Sequence, residues 1–156
     1  MQNKRYWIGV ASRDHVMNAV QSGFAQLCHG KQAPLKKMNT GDWIIYYSPK
    51  VDYKESIPHQ KFTAIGKVID DNVYQVDMRS NFLPYRRNID FIPCEEILIH
   101  PLISKLSFIK SVKYWGYSFR FGHLEICEKD FKIIAESMVN VEKTGQEAFF
   151  TNDLIN

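Results

Sequence analysis

Three stretches of the chain hold side chains whose type and placement could do chemistry. The run Trp43-Ile44-Ile45-Tyr46-Tyr47-Ser48 ends at Pro49. It reads as a buried strand that finishes in hydroxyls and π-faces, the materials of a pocket wall, with the proline expected to stop the ladder. Ser12-Arg13-Asp14-His15 lies where a strand runs into a helix, and the first N–H groups of a helix are unpartnered and point outward. Trp115-Gly116 pairs an indole with a residue that lets a backbone or ligand come close to the ring. Stacking and hydrogen bonding are the chemistry these residues offer.

Nucleophilic or metal chemistry is not indicated. The sequence has no Gly-rich phosphate loop, no G-x-S-x-G, no H-E-x-x-H and no paired Cys/His spacing. Cys28 and His29 are adjacent, so on a strand their side chains would point to opposite faces, poor geometry for a nucleophile and its base. No catalytic residue, metal ligand or cofactor is therefore assigned. Cys28, Cys94 and Cys127 are odd in number and far apart, and read as free thiols in a reducing cytoplasm. No apolar run approaches 18 residues and no signal segment opens the chain, so a membrane span and secretion are not expected. A net charge of +3 permits a polyanionic partner without requiring one.

The elements that must position these residues follow in order. Tyr6–Ala11 reads as a strand. A helix capped by Ser12 or Asp14 follows, with Val16, Met17 and Val20 on one face and Gly23 at its end. Phe24–Leu27 is a short strand, 28–34 a polar loop, and Leu35–Met38 one helical turn. Asn39-Thr40-Gly41-Asp42 suits a turn into the Trp43 strand, with Asp42 able to bond its own backbone. A polar loop over 51–61 precedes a strand over 62–70. Asp70-Asp71-Asn72 reads as a hairpin turn, with Val73–Met78 returning. Pro84–Ile92 alternates, placing Tyr85, Arg87, Ile89 and Phe91 on a buried face. Further expectations are a strand over 95–99, a short helix from Pro101, an irregular stretch over 107–121, and a last helix over 130–138. Mostly consecutive strands favour a small, mostly antiparallel barrel with helices packed on it. Length favours a single domain, residues 1–141, followed by a polar tail over 142–156.

Several fragments occur in a telling order: Tyr6-Trp7-Ile8, Thr40-Gly41-Asp42 leading into Ile-Ile-Tyr-Tyr-Ser, Phe62-Thr-Ala-Ile-Gly66, Pro84-Tyr85-Arg86-Arg87, Leu106-Ser-Phe108-Ile109 before Trp115-Gly116, and Asp130-Phe131. Over residues 5–138 the chain resembles the EVE domain family of the PUA-like superfamily, which also holds PUA and YTH domains. The resemblance implies an α+β fold, a PUA-like and mostly antiparallel β pseudobarrel with helices around it. It implies a pocket that binds RNA or a modified base in nucleic acid; EVE domains are proposed to read modified cytosine in DNA. By motif position that pocket would fall at Ala11, Ser12, Tyr46 and Ser48, approached by Tyr85-Arg86-Arg87 and the 115–120 segment.

A base held outside a duplex needs stacking and edge hydrogen bonds. Trp115, Tyr46 and Tyr85 can stack, with Gly116 and Phe119 beside Trp115; Ser12 and Ser48 can read an edge. Arg13, Lys31, Arg86, Arg87, Lys110, Lys113 and Arg120 supply a phosphate-contacting rim. Each assignment has a plainer counterpart: the aromatics as core, the cations as a solvated face. Trp7 and Trp43, mid-strand, are read as core. The expected partner is DNA or RNA, with a modified base allowed and the oligomeric state open. Two other readings stand beside it, a sensor of a free nucleotide or other organic anion, and an enzyme.

Overall fold

The computed structural model describes residues 3–139, so the expected tail over 142–156 lies outside the described residues. The elements run β1 (Tyr6–Val10), α1 (Arg13–Ser22), β2 (Phe24–Ala25), α2 (Gln32–Lys37), β3 (Trp43–Lys50), β4 (Pro58–Gln75), β5 (Tyr85–Phe91), β6 (Ile97–Leu98), β7 (His123–Ile126) and α3 (Glu128–Met138). Short 3₁₀ turns occupy Cys28–Gly30, His100–Lys105 and Trp115–Phe119. No described helix is long and apolar enough to cross a membrane.

The strands form one mixed sheet in the order β2-β5-β4-β3-β1-β7, with β6 on β4. Among the described residues only β1 and β3 pair in parallel, and every other pairing is antiparallel. This bears out an α+β fold of mostly antiparallel strands, but the sheet is open: its ends, β2 and β7, are not paired. Near these ends, the segment after β2 meets the one before β7 where Cys28 Sγ donates to the Phe121 carbonyl oxygen at 3.4 Å.

The central strands are buried on both faces, and their alternation divides the core. Tyr6, Ile8, Trp43, Ile45 and Tyr47 pack with Phe131, Ile134 and Met138 of α3. Trp7, Ile44 and Tyr46 turn the other way, against Leu27, Leu35 and Ile89. Trp7 and Trp43 are thus core, as their mid-strand positions predict. Asp42, itself buried, accepts from the Arg5 and Asn39 N–H groups and from Trp7 Nε1 at 2.8–3.0 Å. The Gly41-Asp42 turn therefore locks β1 beside β3; Gly41 adopts φ 94, open to glycine at low cost.

Several local expectations are revised. Asp70-Asp71-Asn72 is no hairpin turn: β4 continues through it to Gln75, and the pairing with β5 shifts register between Val68 and Val73. Turn-forming residues here make an irregularity in one long strand. Pro49 does not stop β3 either. The ladder resumes at Lys50 opposite Pro58 after a second shift, so β4 claims residues 58–61 from the expected loop. The helix α2 starts at Gln32, with Pro34 inside its first turn, where a missing N–H costs nothing. On α1, Val16 and Ala19 face the core while Val20 is exposed. The short strand β7 falls in a segment for which the sequence suggests no element.

Candidate functional site

A well-formed cleft lies at the ends of β1 and β3, on the face of the sheet that carries α3. Its volume is ≈ 1010 Å³, and its lining includes Val10, Tyr47, Pro49 and Gln60 from the sheet and residues 110–111 and 113–120 from the segment before β7. The sheet is irregular at this place. Pro49 has no N–H to give to the ladder, and opposite it Gln60 sits at φ 55, its carbonyl accepting from the Ile99 N–H instead. The facing wall is the 3₁₀ turn Trp115–Phe119. Its backbone is tied down by Ser118 Oγ donating to the Phe108 carbonyl, and residues 107–108 are in turn held by the buried Asp130 carboxylate.

The floor is aromatic. The Tyr47 and Phe119 rings stack with centroids 4.2 Å apart, and Trp115 meets Tyr47 edge-on at 6.5 Å. Trp115 is half-buried, packed against the core on one side and lining the cleft on the other. The choice between core and pocket is resolved as both. Burial pushes the Tyr47 phenol above its ordinary pKa, so it keeps its proton. Its hydroxyl has no hydrogen-bond partner among the described residues. That leaves a donor and acceptor for a ligand. Gly116 is exposed, and a Cβ built there meets nothing within 4 Å apart from its chain neighbours, so the cleft wall is open at that position.

Charge at the cleft is one-sided. Lys110, Lys113 and Arg120 line it, and among the described residues no carboxylate does. The Arg120 guanidinium carbon lies 3.3 Å from the Tyr117 ring centroid and 4.1 Å from that of Phe121, while Nη1 donates to the Tyr117 carbonyl at 2.8 Å. The cation is preorganised by both rings.

Of the residues expected to hold a ligand, the cleft gathers Trp115, Gly116 and Phe119, and of the expected rim Lys110, Lys113 and Arg120. The others are elsewhere. Tyr46 and Ser48 point away because strand parity puts Tyr47 and Pro49 on this face. Tyr46 is buried with its hydroxyl at the Gln26 backbone, and Ser48, fully buried, bonds Thr63 Oγ1 at 2.9 Å. Ala11 donates its N–H to the Tyr47 carbonyl, and Ser12 Oγ donates to Asp14 Oδ1. Tyr85 packs against the opposite half of the core.

Four rim assignments fall away from the cleft. Arg13 is held bidentate by Glu96, which His59 Nε2 also meets at 2.7 Å. Burial works against ionisation of Glu96, but the contacts with Arg13 and His59 hold its carboxyl below the ordinary range. Arg86 lies over the Phe24 ring and donates to Gln26 Oε1. Lys31 is exposed on the loop before α2. Arg87 is only 2% exposed and therefore no rim residue. It donates to the Leu35 and Met38 carbonyls at the end of α2 and to the Asp70 carbonyl at the β4 irregularity. Burial lowers its pKa, against the pull of Asp71 and Asp70.

Among the aromatics of the cleft, Tyr47 and Tyr114 are not assigned to the ligand by sequence reasoning, and Tyr117 enters only as part of the 115–120 segment. Two signals point to them. Tyr47 shares the parity of Trp43 and Ile45, the face toward α3. The stretch from Lys110 to Phe121 alternates aromatics and cations with no acid among them.

Comparison with known proteins agrees with this architecture. The sequence model of the EVE domain matches residues 5–137. The chain is 61% identical over 130 residues to the UPF0310 protein in gntR 5'region of Bacillus licheniformis, covering 83% of this chain and 88% of that one. It is 51% identical over 140 residues to the UPF0310 protein YdcG of Bacillus subtilis (strain 168), covering 89% and 96%. Among solved structures, the YTH domain of the Zygosaccharomyces rouxii MRB1 protein, in complex with N6-methyladenosine RNA, superposes with a TM-score of 0.58. That match has 14% identity and covers 87% of each chain. At that identity the likeness is one of fold.

Proposed function

The chain belongs to the EVE domain family, and from that premise we propose that it is a non-catalytic module that holds a nucleobase of DNA or RNA, modified bases included, in the cleft between Tyr47 and Trp115. The observation that carries the reading is the pairing of an aromatic floor with three cations in one cleft. A base offers a π-face to Trp115 and polar edge atoms to the Tyr47 hydroxyl, while its phosphates meet Lys110, Lys113 and Arg120. Base–aromatic stacking contributes about 1–3 kcal/mol per base. A YTH domain of the same fold holds N6-methyladenosine RNA, which supports nucleic acid as the ligand class.

The test is fluorescence anisotropy with single- and double-stranded DNA and RNA oligonucleotides, each unmodified or carrying N6-methyladenine or 5-methylcytosine. Binding is expected at low salt, weakening with a log–log slope of roughly −2 for three phosphate contacts on a single strand. Trp115→Ala is expected to abolish it while the cooperative thermal transition remains. Binding of free nucleotides but of no oligonucleotide would overturn the reading in favour of a small-molecule sensor.

A further inference from the structure

The cleft does not end at its base-sized floor. Its outer wall continues into Tyr114, Tyr117 and Phe121, which are 64%, 64% and 71% exposed. Three exposed rings within eight residues are not a core in waiting, because the same segment already buries Phe119 and half-buries Trp115. Nor do they stand as a bare apolar patch. Lys113 Nζ lies 5.3 Å from the Tyr114 centroid, and the Arg120 guanidinium rests against both Tyr117 and Phe121. Each exposed π-face is thus accompanied by a cation, and the acids nearest in sequence, Glu125 and Glu128, are committed to Arg5 and Lys132. Three rings with two cations between them, Arg120 serving both Tyr117 and Phe121, suit a flexible strand, whose planar bases are joined by phosphates. In a duplex the base faces are already stacked on one another and cannot reach the rings.

From this we infer that residues 110–121 form a platform for the nucleotides flanking the held base, so that the ligand is an unpaired strand of about three or four nucleotides rather than a duplex or a single nucleotide. The inference rests on the nucleic-acid reading of the cleft. The platform itself is indifferent to base identity, since every base has a π-face, and it predicts measurable affinity for unmodified strands.

The experiment is a length series by anisotropy: unmodified RNA and DNA strands of one, two, four and eight nucleotides, and an eight-base-pair duplex, against the wild-type chain, Tyr117→Ala and Trp115→Ala. Affinity is expected to climb up to about four nucleotides and then level off, with the duplex much weaker. Tyr117→Ala is expected to weaken the four-nucleotide strand by about tenfold and a single nucleotide, which meets only the edge of this ring's wall, by a clearly smaller factor. Equal affinity for one and four nucleotides, with Trp115→Ala still abolishing both, would remove the platform and keep the base-holding cleft. A duplex bound as tightly as the single strand would also remove the platform. Failure of every strand to bind at low salt would overturn both.

Discussion

The hydroxyl of Ser107 donates to Asp130 Oδ2 at 2.7 Å, across 23 residues of chain. The same carboxylate accepts from the backbone N–H groups of Ser107 and Phe108, and it is 1% exposed. One side chain in the first turn of α3 thereby fixes the start of the segment that walls the cleft. Asp130→Ala leaves two N–H groups and a hydroxyl without their acceptor. Hydrogen bonds to a charged group contribute about 1.5–3 kcal/mol each, with partial relaxation expected on truncation. A destabilisation of about 3 kcal/mol should appear as a lower urea midpoint. Oligonucleotide affinity should fall in the folded fraction as well, because the wall loses its anchor.

Arg87 separates a structural cation from a ligand-binding one. Its guanidinium joins the end of α2 to the irregularity in β4 through carbonyls of Leu35, Met38 and Asp70. Lysine cannot reproduce that fork of donors. Arg87→Lys should cost about 3 kcal/mol, the range for disrupting a buried charge network, read from denaturant unfolding. Oligonucleotide affinity below the unfolding transition should stay within twofold of wild type. A selective loss of binding with unchanged stability would return Arg87 to the ligand.

Acid should destabilise the fold through His123. Its ring stacks on Trp7 with centroids 4.6 Å apart, and Nε2 is buried with no hydrogen-bond partner among the described residues. Burial, with Lys37 and Arg5 adding repulsion, pushes its pKa down to about 4. The unfolded chain, near the ordinary 6.5, takes up the proton first as pH falls. The stability that His123 contributes in its neutral form is complete above about pH 6.5 and is lost progressively toward pH 4, at most about 3 kcal/mol. His123→Phe keeps a ring against Trp7 and cannot be protonated. Urea midpoints from pH 7 to pH 4 should therefore fall less steeply for the variant, and parallel profiles would contradict the assignment.

The sequence makes the fold legible where local preference and burial agree. The Trp43–Ser48 run, the Gly41-Asp42 turn, the buried face of β5 and the last helix all appear in place. It misleads where tertiary pairing overrides a local signal. Asp70-Asp71-Asn72 carries every mark of a hairpin turn, yet the long antiparallel partnership with β5 and the Arg87 contacts keep the chain extended through it. At the cleft, side-chain parity is the missing quantity. Which of Tyr46 and Tyr47 lines the cleft depends on where α3 packs, and the positions that the resemblance implies, Tyr46 and Ser48, lie on the other face of β3 from this cleft. The basic, aromatic stretch before β7 was readable from composition, since acids are absent from it.

Gly116 offers the cleanest separation of binding from folding. It has no positive φ, and an added Cβ meets no atom within 4 Å. Nothing in the fold requires glycine there, and alanine removes some freedom from the unfolded chain, so Gly116→Ala should leave stability unchanged or raise it by about 0.5 kcal/mol. The methyl would stand in open space at the cleft wall, on the residue next in sequence to Trp115, on which the proposed base would stack. Bulkier Gly116→Val should push a base off the indole and weaken oligonucleotide binding at least tenfold, with the alanine variant between it and wild type. The measurement is anisotropy on both variants, paired with their thermal transitions. Full affinity in Gly116→Val would mean that no ligand stacks on this face of Trp115.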